Sequence, residues 1–270
     1  MDVHMKCVGG YRRFGKSAPS APGGSPLISV VTVCRNAAIT IEQTLRSVQA
    51  QSYPYREHIV VDGQSTDGTI DILRRYDNAI ACWISEPDAG IYDAMNKGIA
   101  LAIGDWIGIL NSDDWYPEHT LQHVAEAVGR HPEADVIHGD IYLVDRNEPP
   151  YPIFPGSHEH LFSQWRIRHP TCFVRKPLYD RFQYDLRYPI NADFEFLLRL
   201  DAAGCRFVHI DIPLTYFRTG GVSNQPRFRA VWDRFRIRLR YRSLVACWLL
   251  LMDSLTWLKD WLYSRTQKRS

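Results

Sequence analysis

The sequence lacks a paired-cysteine motif, a long apolar run and both of the common glycine-rich nucleotide cradles. Six cysteines (Cys7, Cys34, Cys82, Cys172, Cys205 and Cys247) are scattered through 270 residues with no C-x-x-C spacing. This pattern speaks against a zinc site and a disulfide framework, and leads us to expect a reducing compartment on the cytoplasmic side. The most apolar stretch, 244–252, ends at Asp253 after nine residues, whereas a bilayer-crossing helix needs roughly 20. The basic N-terminal residues are followed by no apolar run, so no secretory signal is expected. No G-x-G-x-x-G follows a strand-like run, which removes the dehydrogenase fingerprint. No G-x-x-x-x-G-K-[ST] occurs, which removes the P-loop. A phosphate-bearing ligand would have to be held by a metal ion and side chains.

What is present is ordinary globular material, with 45% apolar and 23% charged residues. The net charge of +2 hides an asymmetry, because seven arginines and one acid, Asp233, fall within 227–242. Residues 1–25 end in a serine, alanine, proline and glycine run over 17–25 and read as a mobile leader. From 27 onward strand-like runs (27–33, 57–61, 81–85, 106–110, 135–138) alternate with helical ones. The first helix is opened by Thr40 with Gln43 three residues on, a capping-box arrangement, and carries Ile41, Leu45 and Val48 on one face. Helices over 69–76 and 91–102 follow, and Pro117 marks the start of another.

This alternation predicts an α/β fold with a mostly parallel central sheet flanked by helices. Ligands in such sheets bind outside the carboxyl ends of the strands. The residues just past those ends are 32–36, Asp62, 86–88 and 111–114, and three of these four places carry carboxylates. An acidic, cation-demanding cleft is the reading they favour. Adjacent Asp113 and Asp114 repel, and burial raises the cost of ionising both. Mg²⁺ or Mn²⁺ would relieve this, since such ions take one or two carboxylates plus substrate phosphates. Successive side chains on an extended segment point opposite ways, so one carboxylate would ligate the ion and the other reach a ligand hydroxyl. A solvated Asp-Asp turn is the competing reading. Asp62 stands at a strand end where it can accept from a base or ribose, while Asp67 reads as a helix-capping group.

Four segments, 26–36, 61–69, 86–98 and 104–114, together resemble family 2 glycosyltransferases of the GT-A fold. They resemble in particular bacterial enzymes of the colanic-acid type that build cell-surface polysaccharides. The resemblance spans 26–225 and implies an inverting, metal-dependent transfer of a sugar from a nucleoside-diphosphate donor, UDP-linked in expectation, to a hydroxyl of a glycan or lipid-linked glycan. It implies that residues 32–36, with Thr32, Arg35 and Asn36, lie against the nucleotide base largely through backbone groups, and that Asp62 contacts the base. Asp88 would meet the nucleotide sugar, Asp113 the ribose or donor sugar, and Asp114 the metal. Gly63-Gln64 replaces a frequent Asp-Gly pair, and Asn111 replaces a frequent aspartate and is not counted as a ligand. Asp193, opening a helix over 191–199, falls at the catalytic-base position, although Ala192 replaces the usual glutamate. Asp193 and Glu195 are two apart and do not share a helical face. His169 is a candidate near the diphosphate or a buried structural histidine. Arg218, beside Gly220 and Gly221, could reach phosphate, and Lys97 reads as a solvated helix residue.

Beyond 225 the sequence is expected to form a basic amphipathic helical tail. Arginines at 234, 236, 238, 240 and 242 alternate with apolar residues as in a strand, yet the segment runs into a helical stripe of Leu244, Trp248, Leu251, Leu255, Leu258 and Leu262. Trp257 and Trp261 lie on the same stretch. The tail would either pack on the protein or lie on an anionic membrane surface. Nucleic acid is not expected as a partner, because no recognition motif accompanies the charge. A sugar nucleotidyltransferase and a non-catalytic binding module are the rival functions. The former would carry a glycine-rich basic loop after the first strand, and Cys34-Arg35-Asn36 is not one.

Overall fold

The computed structural model describes residues 7–19, 23–145, 149–159, 161–163, 166–219 and 228–241. Its first half follows the alternation read from the sequence. Strand β1 (Ile28–Cys34) leads to α1 (Ile41–Gln49), β2 (Arg56–Asp62) to α2 (Thr69–Arg75), and β3 (Cys82–Ser85) to α3 (Ile91–Leu101). Then come β4 (Trp106–Asn111), α4 (Thr120–Arg130), β5 (Val136–Val144), β6 (Ile153–Phe154), β7 (Phe173–Arg175) and α5 (Lys176–Arg181). The described chain ends with α6 (Ala192–Ala202), β8 (Phe207–Arg218) and α7 (Phe228–Tyr241).

The eight-stranded sheet has the order β3-β2-β1-β4-β7-β5-β6, with β8 paired to β5. Strands β1 to β4 are parallel. β7 enters antiparallel between β4 and β5, so that β5 again runs with the first four, and β8 runs parallel to β5. All seven residues of β1 are buried, as expected of a parallel strand covered on both faces. The register pairs Cys34 with Asp62, Val33 with Asn111 and Asp62 with Ser85. The polar residues ending β1, β2, β3 and β4 therefore share one edge.

Helix α3 covers one face of the sheet, and Gly98 lets it approach β1 closely. A Cβ at Gly98 would stand 2.3 Å from Val31 Cγ1 and 3.3 Å from Val61 Cγ2. On the opposite face, Ile41, Thr44, Leu45 and Val48 form the buried side of α1. Thr40 makes no side-chain cap there, and Gln43 accepts from Arg218 instead of reaching back (2.9 Å). Helix α4 begins at Thr120, three residues beyond Pro117.

Two larger corrections, and the outcome of one alternative left open, arise from contacts distant in sequence. Part of the expected leader is docked. Val8 N donates to Trp83 O (2.8 Å), Trp83 N to Gly9 O (3.1 Å) and Gly10 N to Asp77 Oδ1 (2.7 Å). Arg12 forms an ion pair with buried Glu57. Secondly, Cys7 and Cys82 form a disulfide, which overturns the expectation that none is present. Thirdly, the arginine-rich segment is a helix, α7, as the expected helical tail requires, and of the two placements left open its described part takes the one packed on α6. Asn191 Nδ2 donates to Ala230 O (2.8 Å), Arg238 Nε to Phe162 O (3.1 Å) and Tyr241 Oη to Glu195 Oε1 (3.2 Å). Val231, Ile237 and Arg238 are buried. The described residues beyond 225, 228–241, are therefore packed on the domain, and Arg238 is not a free surface cation. The leucine–tryptophan stripe from Leu244 onward, with Trp248, Trp257 and Trp261, lies outside the described residues.

Candidate active site

At the shared carboxyl edge the loops after β1 and β2 are bonded to each other. Asn36 N donates to Ser65 Oγ (2.7 Å), and Thr66 N donates to Asn36 Oδ1 (2.9 Å). Asn36 and Gln64 have φ of 52° and 60°, the left-handed region that costs a non-glycine residue about 1–2 kcal/mol. Asparagine tolerates it better than glutamine does, and Gln64 occupies the place where the resembling family often has glycine. Such strain persists where surrounding contacts fix the backbone, and it clusters at functional sites. Asp67 ties this loop to α2, accepting from Thr69 N (3.1 Å) and Ala38 N (3.0 Å).

Asp62 is fully buried. Its Oδ2 accepts from Ser65 N (2.9 Å) and Ser85 Oγ (2.7 Å), and its Oδ1 accepts from Ser65 Oγ and Cys34 Sγ (3.6 Å). Internal donors thus occupy both oxygens, and the carboxylate organises the turn instead of standing open to a base. Thr32 departs from expectation too. Its side chain faces the core and bonds His58 Nε2 (2.9 Å), because a residue two before the strand end is still inside the ladder. Arg35 is exposed beside this edge. Asp88 accepts from Gly90 N (2.9 Å) and abuts Gly63, where a Cβ would stand 2.3 Å from Asp88 Oδ2. Lys97 braces the same loop through Glu86 (2.8 Å) and Pro87 O (2.8 Å).

After β4 the chain is not the extended segment expected but a turn, closed by Asp114 N donating to Asn111 O (3.2 Å), and the two aspartates differ in burial. Asp114 is buried and Asp113 half-buried. Asp114 Oδ1 accepts from Arg218 N (3.0 Å) and Oδ2 from Asn111 Nδ2 (3.1 Å). Burial pushes the Asp114 carboxyl well above the usual range, and the Asp113 charge adds to this. Burial also raises Asp113, against the pull of Arg218. The Arg218 guanidinium lies over the Trp115 ring at 5.1 Å and donates to Asp113 O (3.3 Å). Gly220 and Gly221 lie outside the described residues. Among the described residues no group of three His, Cys, Asp or Glu side chains could hold a metal. The oxygens do suit Mg²⁺ or Mn²⁺, which need only one or two carboxylates beside substrate phosphates. Asn111 Oδ1 is buried there without a partner, a third hard acceptor that the sequence reading set aside.

The candidate base is built on the α3 side. Asp193 lies in the first turn of α6. Its Oδ1 accepts from Tyr92 Oη (2.8 Å) and Phe194 N (2.9 Å). Glu195 faces away, paired with Arg199 (2.8 Å), as the two-residue spacing required. His169 is buried and bonded to Tyr184 Oη (2.6 Å). Burial lowers its pKa, opposed by the nearby Asp193 charge. The histidine therefore forms the wall behind Asp193. Asn96 grips the same wall, its amide exchanging two 3.0 Å bonds with the Tyr184 backbone. Tyr92 and Asn96 were missed as site residues, and their one signal was an i, i+4 spacing that puts both on one helix face.

The comparisons with known proteins agree with this architecture. The family model described as "Glycosyl transferase family 2" matches residues 29–186, more than half of the chain. A PGL/p-HBAD biosynthesis glycosyltransferase of Mycobacterium bovis is 32% identical over 210 residues, covering 74% of this chain and 80% of the relative. Among solved structures, S. aureus TarS 1-349 in complex with UDP-GlcNAc superposes with a TM-score of 0.65 at 19% identity, covering 83% of this chain and 70% of that one. The mannosyltransferase PcManGT from Pyrobaculum calidifontis, in complex with GDP-Man and Mn²⁺, gives 0.63 at 19%, covering 90% and 78%. These likenesses establish the GT-A type of fold, and the match to the family model establishes more: this chain belongs to glycosyl transferase family 2.

Proposed function

We propose that the protein transfers a sugar, with inversion, from a nucleoside-diphosphate donor to a hydroxyl of a glycan or lipid-linked glycan in cell-surface polysaccharide or glycolipid synthesis. The observation that carries this reading is the pairing of two carboxylate environments at one sheet edge. Asp113 and Asp114, with Asn111, gather oxygens whose burial outweighs the one nearby positive charge, Arg218, while among the described residues Asp193 keeps one carboxylate oxygen free of protein donors. The donor-side loops, with Arg35, Asn36, Asp88 and Gly63, would seat the nucleotide and its sugar, and Asp62 would hold that seat in shape. Asp114 and Asp113 would hold Mn²⁺ or Mg²⁺, which supplies positive charge to the departing diphosphate. Asp193 would accept the acceptor's hydroxyl proton as its oxygen attacks the anomeric carbon. The neighbours solved with UDP-GlcNAc and with GDP-Man and Mn²⁺ support a nucleotide-sugar donor and a divalent ion, with UDP our preferred nucleotide. The relative named for PGL/p-HBAD biosynthesis supports a glycolipid or glycan acceptor.

No helix among the described residues is long and apolar enough to cross a membrane. We assign the arginine and leucine–tryptophan tail over 242–270 to peripheral contact with an anionic membrane surface, and the Cys7–Cys82 disulfide takes away the cysteine argument for a reducing compartment. The proposed reaction is tested by mixing the full chain with nucleotide sugars and Mn²⁺ or EDTA. Metal-dependent release of nucleoside diphosphate is the expected result. Formation of pyrophosphate would establish the nucleotidyltransferase alternative, and tight binding without turnover the non-catalytic one.

A further inference from the structure

The segment 86–98 is the one motif that the donor site does not fully absorb, because beyond Asp88 it carries Tyr92 and Asn96, which bond the stretch leading to the base. Tyr92 sits in the first turn of α3, buried, and its hydroxyl reaches across 101 residues of sequence to Asp193. It shares its proton between Asp193 Oδ1 (2.8 Å) and Ile190 O (2.7 Å). Phe194 N donates to the same Oδ1 (2.9 Å). Among the described residues nothing bonds Oδ2. One turn along α3, Asn96 clamps the Tyr184 backbone in both directions. One face of α3 therefore fixes both ends of the 184–193 stretch that delivers the base.

Accordingly, we propose that Tyr92 is a positioning residue for the general base: with the Phe194 amide it occupies Asp193 Oδ1 and presents Oδ2 to the acceptor hydroxyl. The step balances without another reactant. The acceptor O–H proton passes to Oδ2, the acceptor oxygen bonds the anomeric carbon, and the bond from that carbon to the diphosphate oxygen breaks with its electron pair on the diphosphate. Burial, and then the Asp193 charge, push the Tyr92 phenol well above its usual range, so it stays a donor at neutral pH. A carboxylate held by one oxygen cannot turn both away from the acceptor, which is the preorganisation an active side chain requires. The proposal rests on Asp193 being the base, and its test separates the two ideas.

The assay uses the full chain with Mn²⁺ and whichever of UDP-N-acetylglucosamine, UDP-glucose or GDP-mannose raises the melting temperature most. Water serves as the acceptor, and nucleoside diphosphate release is the readout. Tyr92→Phe keeps the ring and should lower the rate by about 10–100-fold, the range for losing a partner that orients an active group. The donor-induced melting shift should be retained. Tyr179→Phe removes a neighbouring buried hydroxyl that does not touch Asp193 and should leave the rate unchanged. Combining Tyr92→Phe with Asp193→Asn should give the rate of Asp193→Asn alone, since residues acting as a unit are not additive. A wild-type rate for Tyr92→Phe, a loss of the donor-induced shift, or a double variant showing the product of both losses would overturn the proposal. A wild-type rate for Asp193→Asn would instead overturn the assignment of the base.

Discussion

Strands β3, β2, β1 and β4 end in polar groups bonded largely to one another, whereas the chain beyond β4 delivers a carboxylate that is only half satisfied. On the donor side Asp62 has both oxygens filled by Ser65, Ser85 and Cys34, and Asn36 is stitched to Ser65 and Thr66. On the base side the described residues bind one oxygen of Asp193 and leave the other. A rim rigid before ligand arrives suits a nucleotide that must be seated the same way every time. A proton acceptor needs the opposite, one lone pair withheld from the protein. The difference lies in how each half spends its hydrogen bonds.

The largest expected effect comes from removing that withheld lone pair. Asp193→Asn should slow nucleoside diphosphate release by about 10²–10⁴-fold, the usual contribution of a general base. Donor affinity, followed by melting shift with Mn²⁺, should hold. A weakened donor with intact turnover would move Asp193 to the donor side and break the contrast. Next, Asp114→Ala should abolish Mn²⁺-dependent donor binding while the protein still melts cooperatively, and undiminished binding would remove Asp114 from the metal site.

Two smaller effects sharpen the comparison. Ending the chain after Gln225 removes α7 and should lower the melting temperature markedly, since a fully buried valine or isoleucine contributes about 1.5–3 kcal/mol and two are lost. Ending it after Arg242 should spare both stability and turnover but abolish salt-sensitive binding to anionic vesicles. Vesicle binding that survives the second cut would sink the membrane assignment. The smallest effect is one of pH. Burial depresses His58 on the donor side and His138 on the far side from 6.5 to about 3, with nearby positive groups adding to it. The unfolded chain then binds more protons below about pH 6.5, so their contribution is complete above that pH and is lost as the pH falls toward 3. Thermal melts between pH 7 and 5 should show the decline, and His58→Gln with His138→Gln should flatten it.

The donor half was legible because its logic is local. An apolar run followed by a carboxylate places that carboxylate at a strand end, and Asp113-Asp114 declares its own electrostatic problem. The exceptions are instructive. Thr32 was placed in the cleft although it lies two residues inside the strand, and Asp62 was left open because donors at 65 and 85 cannot be paired to it by spacing alone. The base half depends on contacts between distant segments. β7 slips between β4 and β5 from some 60 residues downstream, and Tyr92 meets Asp193 from the other side of the sheet sequence. The Cys7–Cys82 bridge spans a separation of 75 residues, with no motif to announce it. The helical character of the arginine-rich segment was legible, but its seat on α6 was not, because the contacts that fix it come from residues 191 and 195.

Gly98 carries a consequence well away from either half of the cleft. Helix α3 lies flush on the sheet because nothing projects from that position toward Val31. The loop holding Asp88 and the hydroxyl of Tyr92 both ride on this one helix, one at its leading end and the other in its first turn. The missing side chain thus sets the height of both above the strand ends, much as a shim sets the gap between two machined parts. Adding a methyl group there would lift the helix as a unit and put both jaws of the cleft out of gauge together, although the altered residue touches neither ligand.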